Sequence, residues 1–284
     1  MYKIIFPLVL LMTGCMACSQ KKNGNPAGYN LSSPEILKMP SELNEISGIA
    51  FHNGNPDTLY AEQDEEGKLF FFSPADMKVQ HIQFGKPGDY EDVSIAGGKV
   101  FILKSDGHLL SFSLNNVIPG NAGAIREFPF LLPKGEYEGM YADEAENLLY
   151  VLCKGCGVDK KSGKVTGYVL KWNANLELVK QSEFAIDATE IAQKIDKEKI
   201  NFRPSALAKN KKSNEWFILS SVNKLLVVTD LQWKVKQVFP LENKLFYQPE
   251  GIAFDKAGNL YISNERGDFD NANLLKFLYN AANK

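Results

Sequence analysis

The sequence is poor in the residues and motifs that most often carry catalysis or hold a transition metal. It contains three histidines, His52, His81 and His108, and no two of them stand at a metal-binding spacing. No G-x-S-x-G elbow, P-loop or H-E-x-x-H motif occurs. No motif therefore predicts a serine hydrolase, a P-loop nucleotide hydrolase or a zinc peptidase.

A strong charge of either sign is also missing. The formal net charge is −2 at pH 7, so we expect no nucleic-acid partner. Beyond the N-terminus, no stretch approaches the roughly eighteen consecutive apolar residues that a membrane-spanning helix requires. With 44% hydrophobic residues, the chain can build a large core, and we expect the body of the protein to be soluble and monomeric.

The first residues have the pattern of a secretory signal. A short basic start precedes the apolar run Ile4 to Met12, and Thr13-Gly14-Cys15 follows. This tail resembles a bacterial lipobox, which implies a signal peptide over residues 1–14 and lipidation of Cys15. Cys18 is a second candidate, and a plain cleaved signal is the alternative interpretation.

The next segment is polar. Residues 15–33 are rich in Lys, Asn, Gly and Pro, which predicts a flexible tether. The folded domain is predicted over residues 34–284. An acyl chain on Cys15 provides membrane affinity, so we expect a lipid-anchored protein of the bacterial cell envelope, facing the periplasm from the outer membrane.

A short phrase recurs at a nearly constant spacing. A polar residue followed by a small residue or Asp, and then by an apolar run, occurs five times. Aligned on the polar residue, the copies are Ser47, Glu91, Glu138, Ser205 and Glu250, separated by 44, 47, 67 and 45 residues. Each unit holds several short runs of β-branched and aromatic residues bounded by Gly, Asn, Asp and Pro. This pattern predicts an all-β, five-bladed β-propeller.

Two features complete the predicted propeller. The last repeat lacks a fourth strand, and the strand-like segment Glu35 to Met39 is predicted to supply it and close the ring. The long gap between blades 3 and 4 holds residues 186–200, predicted to be a helical insertion with Asp187 as its N-cap. Two roles stay open for the helix, decoration of a blade edge or a lid over the channel.

The five repeat positions are the candidate site. Equivalent positions of successive blades converge on the propeller axis, so Glu91, Glu138 and Glu250 are predicted to meet at one end of the channel. Crowded carboxylates repel one another, and a hard cation relieves the repulsion. We therefore predict a Ca²⁺ site formed by Glu91, Glu138, Glu250, Ser47 and Ser205, because oxygen donors suit calcium better than zinc. The alternative is that each Glu caps turn amides or pairs with Arg203 or a lysine.

The same residues resemble a known family. Glu or Ser before each inner strand, together with Leu-Tyr-Ile-Ser-Asn-Glu at 260–265, is similar to the SdiA-regulated family of bacterial envelope proteins, distant relatives of NHL-repeat propellers. The resemblance covers about residues 34–278 and implies a five-bladed propeller with a calcium site. It implies no specific activity. Asp92 and Ala206 depart from the family's pattern, since they stand where Gly is usual.

Cys153 and Cys156 form a C-x-x-C sequence. Without a βαβ context, thiol-exchange catalysis is not expected. The sequence leaves two interpretations of this pair open, a structural disulfide and two free thiols.

Two functions of different classes follow. The first is a binding or scaffold module for an envelope protein, a glycan or a small ligand. The second is a calcium-dependent hydrolase, such as a lactonase or esterase, in which Glu45, Asp92 or Glu265 acts as general base. A phytase is the weaker version, because Arg203 is the single basic residue that the repeats place near the ion.

Overall fold

Short runs of β-branched and aromatic residues form five antiparallel sheets of four strands each. They were located in a computed structural model that describes residues 24–117, 121–175 and 177–283. In each complete repeat, four consecutive strands pair in chain order, as in a propeller blade. The predicted all-β, five-bladed propeller is confirmed.

The strands of the first three blades follow the predicted order along the chain. Blade 1 consists of β2 (Ile46–Phe51), β3 (Leu59–Gln63), β4 (Lys68–Phe72) and β5 (Gln80–Gln83). Blade 2 consists of β6 (Tyr90–Ala96), β7 (Lys99–Lys104), β8 (Leu109–Ser113) and β9 (Arg126–Phe128). Blade 3 consists of β10 (Gly135–Asp143), β11 (Leu148–Cys156), β12 (Lys164–Trp172) and β13 (Leu178–Asp187).

The last two blades differ in how they are completed. Blade 4 consists of β14 (Ala206–Asn210), β15 (Glu215–Ser220), β16 (Leu225–Thr229) and β17 (Val235–Pro240). Blade 5 consists of β18 (Pro249–Phe254), β19 (Leu260–Asn264), β20 (Asn273–Phe277) and, from the start of the domain, β1 (Glu35–Lys38). β1 pairs antiparallel with β20, with Ile36 opposite Leu275. The predicted closure of the ring by the N-terminal strand is confirmed.

Apolar side chains between neighbouring blades form the core. Between blades 3 and 4, for example, Leu152 and Val169 of one sheet join Trp216 and Ile218 of the next in a single buried cluster. Full burial of one such side chain contributes about 1.5–3 kcal/mol. Each blade is therefore held mainly by the faces of its neighbours.

The helix in the insertion between blades 3 and 4 is shorter than predicted. Helix α1 spans Ala188–Lys194, because β13 continues through Ile186 and Asp187. Asp187 is the N-cap, as predicted, and its side chain accepts a hydrogen bond from the Thr189 amide. Ile191 is fully buried in the cluster between the blades, and Glu190 accepts a hydrogen bond from the Val235 amide of β17 at 2.9 Å. These contacts place α1 on the outer strands, which favours decoration over a lid.

The segment before β1 belongs to the folded domain. Tyr29 is 1% exposed and lies, with Leu31, in the cluster between blades 4 and 5. Its hydroxyl donates a hydrogen bond to the Gly258 carbonyl at 2.7 Å. The structure differs here from the expected tether over residues 15–33, because an aromatic side chain with a partner for its hydroxyl is more stable buried than exposed.

The predicted signal peptide, Cys15 and Cys18 lie outside the described residues. Within the described ranges, every helix is too short or too polar to cross a bilayer.

Candidate binding site at the mouth of the channel

The five repeat positions all lie at the beginning of the inner strands. Ser47, Glu91, Glu138 and Glu250 are early residues of β2, β6, β10 and β18, and Ser205 immediately precedes β14. We call these five residues the first ring, and the end of the channel where they lie the mouth. The structure thus brings the predicted residues to one end of the propeller.

A β-bulge recurs at the first ring. The register of the inner strand shifts at the ring residue in four blades, those of Ser47, Glu91, Glu138 and Glu250. A bulge interrupts the alternation of side chains and turns one of them out of the sheet. The repeated bulge therefore explains why polar side chains are tolerated at the start of strands that are otherwise buried.

The residue after each ring position faces the next blade at close range. A Cβ added to Gly48 would lie 2.5 Å from the Val93 amide nitrogen, and one added to Gly251 would lie 2.4 Å from the Ser47 carbonyl oxygen. Asp92, which replaces Gly in blade 2, is buried and accepts hydrogen bonds from the amides of Val93 and Met140. Asp92 therefore links blades 2 and 3, and it is not placed to act as the general base considered from the sequence.

A second set of equivalent positions also reaches the mouth. In blades 1, 2 and 5 the residue that pairs just before the ring position ends the second strand, and in blade 3 it is Cys153, inside β11. The residues at the next position form what we call the second ring: Asp64, Ser105, Lys154, Ser221 and Glu265. The charge at this position differs between blades, since blades 1 and 5 carry an acid, blade 3 carries a lysine and blades 2 and 4 carry a serine.

Lys154 is the cation on which the predicted carboxylates converge. Its ammonium forms an ion pair with Glu138 and lies 3.6 Å from Glu136 Oε1. The same charge opposes the rise in the pKa of Glu91 and of Glu250 that burial causes. The alternative noted for the ring, pairing of a Glu with a lysine, is therefore what the structure shows for Glu138.

Blades 3 and 4 form the basic half of the mouth, with Lys154, Arg203 and Lys224. Arg203 Nη2 lies 2.8 Å from Glu136 Oε2, and Lys224 donates a hydrogen bond to the Tyr247 carbonyl at 2.6 Å. These cations line a cavity of about 410 Å³ together with Glu138, Ser205, Ser221, Tyr247, Gln248 and Glu250. The cavity offers both charged and neutral hydrogen-bonding groups to a ligand.

The other half of the mouth, on blades 1, 2 and 5, is acidic. Burial and repulsion from Glu45 raise the pKa of Asp64 to about 6. Burial and repulsion from Asp89 raise the pKa of Glu91 to about 8. Burial and a hydrogen bond with Glu45 raise the pKa of Glu265 to about 8. We call these residues the acidic half; its carboxyl groups are crowded and buried, so each opposes the ionisation of its neighbours.

Two carboxylate oxygens near the acidic half lack partners. Glu62 Oε1 accepts a hydrogen bond from the Gly48 amide at 2.7 Å, whereas Glu62 Oε2 and Asp64 Oδ1 are buried without a hydrogen-bond partner in the described structure. Burial raises the pKa of Glu62 well above its ordinary value. Unsatisfied buried oxygens cost stability and attract a proton or a cation.

Comparison with known proteins agrees with this geometry. Residues 166–269 match the model of the SdiA-regulated family. The predicted resemblance to this family is confirmed.

Two solved structures share the fold of this chain. The glutaminyl cyclase of Myxococcus xanthus has a TM-score of 0.58 at 12% identity, covering 86% of this chain and 93% of that one. A luciferin-regenerating enzyme has a TM-score of 0.52 at 10% identity, covering 87% and 95%. Identities this low show a common propeller fold and no common activity. No curated protein matches the chain.

The oxygen donors of the mouth are of the type that calcium prefers, but most of those in the first ring already have protein partners. Glu138 is paired with Lys154, and the Ser205 hydroxyl donates to the Pro249 carbonyl and accepts from the Ser221 amide. The Ser47 carbonyl accepts a hydrogen bond from the Ser263 hydroxyl. The one group of three potential metal ligands within 4.8 Å of one another in the described residues, Cys153, Cys156 and Asp159, contains a disulfide. No three carboxylates of the mouth meet that distance in the described residues, so a calcium ion would have to draw the unpartnered oxygens of the acidic half together.

The most important residues missed from the sequence are Lys154, Asp64 and Lys224. Arg266 also reaches the mouth, contrary to expectation, and its guanidinium lies 3.3 Å from Glu45. The second ring has a sequence signal in four blades, where its member directly follows the second strand: Asp64, Ser105, Ser221 and Glu265. Lys154 lies inside β11, next to Cys153 of the Cys153–Cys156 disulfide, and no strand end marks its position.

Proposed function

We propose that this chain is a non-catalytic binding module of the bacterial cell envelope, anchored through acylated Cys15 and binding its ligand at the mouth of the channel. The division of the mouth into a basic half and an acidic half supports this proposal. Lys154 fixes a positive charge among Glu91, Glu138 and Glu250, where a catalytic metal would otherwise be expected. Such a mouth favours recognition of a polar ligand over activation of a water molecule.

The ligand site would be the cavity of the basic half. Its lining combines Lys224 and Arg203 with Glu250, Tyr247 and Gln248. Lining groups of both charges and several hydrogen-bonding types are expected for a glycan or a peptide of the envelope, because polar ligands must replace each hydrogen bond lost to water.

Calcium is the proposed partner of the acidic half. Asp64, Glu91 and Glu265 would hold it, with Glu62 adding its unpartnered oxygen. The ion would supply positive charge that lowers the repulsion among these carboxylates. Of the five ligands predicted from the sequence, this set retains Glu91. Asp64, Glu265 and Glu62 take the place of those that already have protein partners.

The calcium proposal is tested by thermal unfolding of the full chain with Ca²⁺, with Mg²⁺ and with EDTA. We expect Ca²⁺ to raise the melting temperature, since a ligand at 100 times its Kd stabilises the folded state by about 2.7 kcal/mol. Glu91→Gln and Glu265→Gln should lose the effect, and Glu144→Gln, at the opposite end of the channel, should retain it. An unchanged wild-type melting temperature would remove the ion from the proposal.

The binding proposal has a separate test. Glycan fragments and peptides prepared from bacterial envelopes are screened for binding to the wild-type chain. Lys224→Gln should weaken the binding of a ligand that occupies the mouth. Lys211→Gln, at the opposite end of the channel, should leave that binding unchanged. A ligand that both variants bind equally well would argue against the mouth as its site.

A calcium-dependent hydrolase is the second candidate. The carboxyl groups of Glu91 and Glu265, with pKa values raised to about 8, are the observation that favours it, since general acids and bases act best near the pH of the reaction. Lactone and aryl-ester hydrolysis should then depend on Ca²⁺ and on Glu265. Turnover that persists in Glu265→Gln would count against this role.

A further inference from the structure

A second cavity opens at the end of the channel opposite to the mouth. Its volume is about 280 Å³, and the later residues of the inner strands of all five blades line it, with the turns that follow. None of its lining residues belongs to the first or second ring. The cavity is therefore separate from the proposed ligand site.

The floor of this cavity is an apolar ring. Its members stand two residues after the first-ring positions, one in each blade: Ile49, Val93, Met140, Leu207 and Ile252. All five are buried. Alanines line the cavity above them, including Ala208 and Ala253, so that space is left between the strands. An apolar floor of this kind favours a hydrocarbon group over a polar one.

The rim is rich in lysines. Lys211, Lys212 and Lys256 are exposed residues of the lining, and Lys211 and Lys256 have no ion pair within the described residues. A fourth lysine, Lys209, is neutralised by Asp143 at 2.8 Å. The rim therefore presents positive charge that the protein leaves uncompensated.

The acids of the rim cancel only part of this charge. Asp255 accepts hydrogen bonds from the amide and side chain of Asn259, both at 2.8 Å, which hold its carboxylate in place without neutralising it. Glu144 is the other acid of the lining. These two carboxylates offset two of the three exposed lysines, and the positive charge that remains favours an anionic ligand.

Tyr141 adds a hydrogen-bond donor. Its ring packs edge-on against Trp216, with 5.3 Å between the ring centroids, and it lines the cavity. The hydroxyl makes no hydrogen bond to another described residue. Tyr141 can therefore donate to an oxygen of a bound molecule, and Trp216 beside it can report the binding.

We propose that this cavity binds a small carboxylic acid with an apolar body, of the size of a medium-chain fatty acid. The hydrocarbon part lies on the apolar ring, and the carboxylate is bound by Lys211, Lys256 and the Tyr141 hydroxyl. The volume of about 280 Å³ lies just below the usual range for ligand cavities, about 300–1,000 Å³, which suits a single short chain and not a whole lipid. The proposal does not depend on calcium or on the ligand of the mouth.

The test is a titration of the full chain with octanoate, followed by calorimetry and by the fluorescence of its tryptophans. Cys15→Ser and Cys18→Ser are introduced so that no acyl group of the protein itself competes. Octylamine and octanol, which share the hydrocarbon chain and lack the negative charge, are the control ligands. We expect saturable binding of octanoate that is clearly tighter than binding of either control.

Two variants locate the site. Ala208→Leu fills the cavity and should abolish binding, whereas the double variant Lys211→Gln/Lys256→Gln should weaken it by roughly three- to tenfold, the range expected for exposed charge pairs. The lysines are exposed, so this variant remains informative if Ala208→Leu does not fold. Lys160→Gln, an exposed lysine of blade 3, is the matched control.

Three results would overturn the proposal. Equal affinity for octanoate, octylamine and octanol would show that charge is not recognised. Octanoate binding that the lysine variant leaves unchanged would place the site elsewhere. Binding to vesicles of anionic lipid without binding to octanoate would make the lysines a membrane-contact surface.

Discussion

At the scale of single residues, the charge of the mouth depends on which side chain occupies one repeated position. Asp64 and Glu265 follow the second strands of blades 1 and 5, and Lys154 occupies the equivalent position inside β11 of blade 3. The lysine is the member that neutralises Glu138. One change of residue at that position thus alters the balance of the whole ring.

Replacing Lys154 tests this balance. In Lys154→Met, the carboxylate of Glu138, which is 6% exposed, loses its partner, and we expect the free energy of unfolding to fall by about 3 kcal/mol. Urea unfolding at pH 7 measures the change. Lys160→Met is the control on the same blade.

The double variant Lys154→Met/Glu138→Gln should recover much of the lost stability, because no unpaired charge remains buried. Equal losses in the single and double variants would mean that Lys154 acts through packing and not through its charge.

The acidic half makes stability depend on pH. In the folded state the pKa of Glu265 is raised from 4.5 to about 8, so between these values the folded protein holds more protons than the unfolded chain. The contribution of Glu265 to stability is then fully present below about pH 4.5 and is lost as pH rises toward 8. Unfolding free energies measured in EDTA should show this decline, and Glu265→Gln should reduce its slope. An equal slope in Glu265→Gln and in the Glu144→Gln control would contradict the assignment.

At the scale of elements, the segment before β1 is a structural part of the propeller. Tyr29 packs edge-on against Phe217 and Tyr279, and its hydroxyl also accepts a hydrogen bond from Asn210 at 3.0 Å. The polar composition of the surrounding residues concealed this role, because a single buried aromatic residue creates no periodic pattern.

Tyr29 is therefore expected to be sensitive to substitution. Tyr29→Ala should lower the free energy of unfolding by about 3–5 kcal/mol through lost packing. Tyr29→Phe should cost about 1–2 kcal/mol, because it leaves the Gly258 carbonyl without its donor. Chemical unfolding measures both, with Ser32→Ala, at an exposed neighbour, as the control. A neutral Tyr29→Ala would restore the interpretation of this segment as a tether.

At the scale of the whole molecule, five similar blades create two different channel ends. The strands begin with polar residues in bulges and continue with apolar residues, so one end is charged and the interior is apolar. The two cavities that the inner strands line therefore lie at opposite ends of the channel and differ in chemistry.

Anchoring also belongs to this scale. We expect Cys15→Ala to abolish incorporation of a labelled fatty acid and to release the protein from membranes, because the acyl chain supplies the membrane affinity. Cys18→Ala is the matched control and should behave as the wild type. Loss of the label in Cys18→Ala alone would assign the modification to the second candidate.

The sequence alone determined the number of blades, the closure by the N-terminal strand, the N-cap at Asp187 and the gathering of five polar residues at one end. These features depend on local patterns: the spacing of the repeats, the alternation of strands and the chemistry of turns. Only the tertiary structure decided that Lys154 neutralises Glu138, that Asp92 joins two blades and that Tyr29 is buried. The pairing of Lys154 with Glu138 depends on the bulge between two neighbouring strands of blade 3. The other two depend on residues from different blades or distant segments. The spacing of repeats specifies neither the bulges nor the strand register that set these distances.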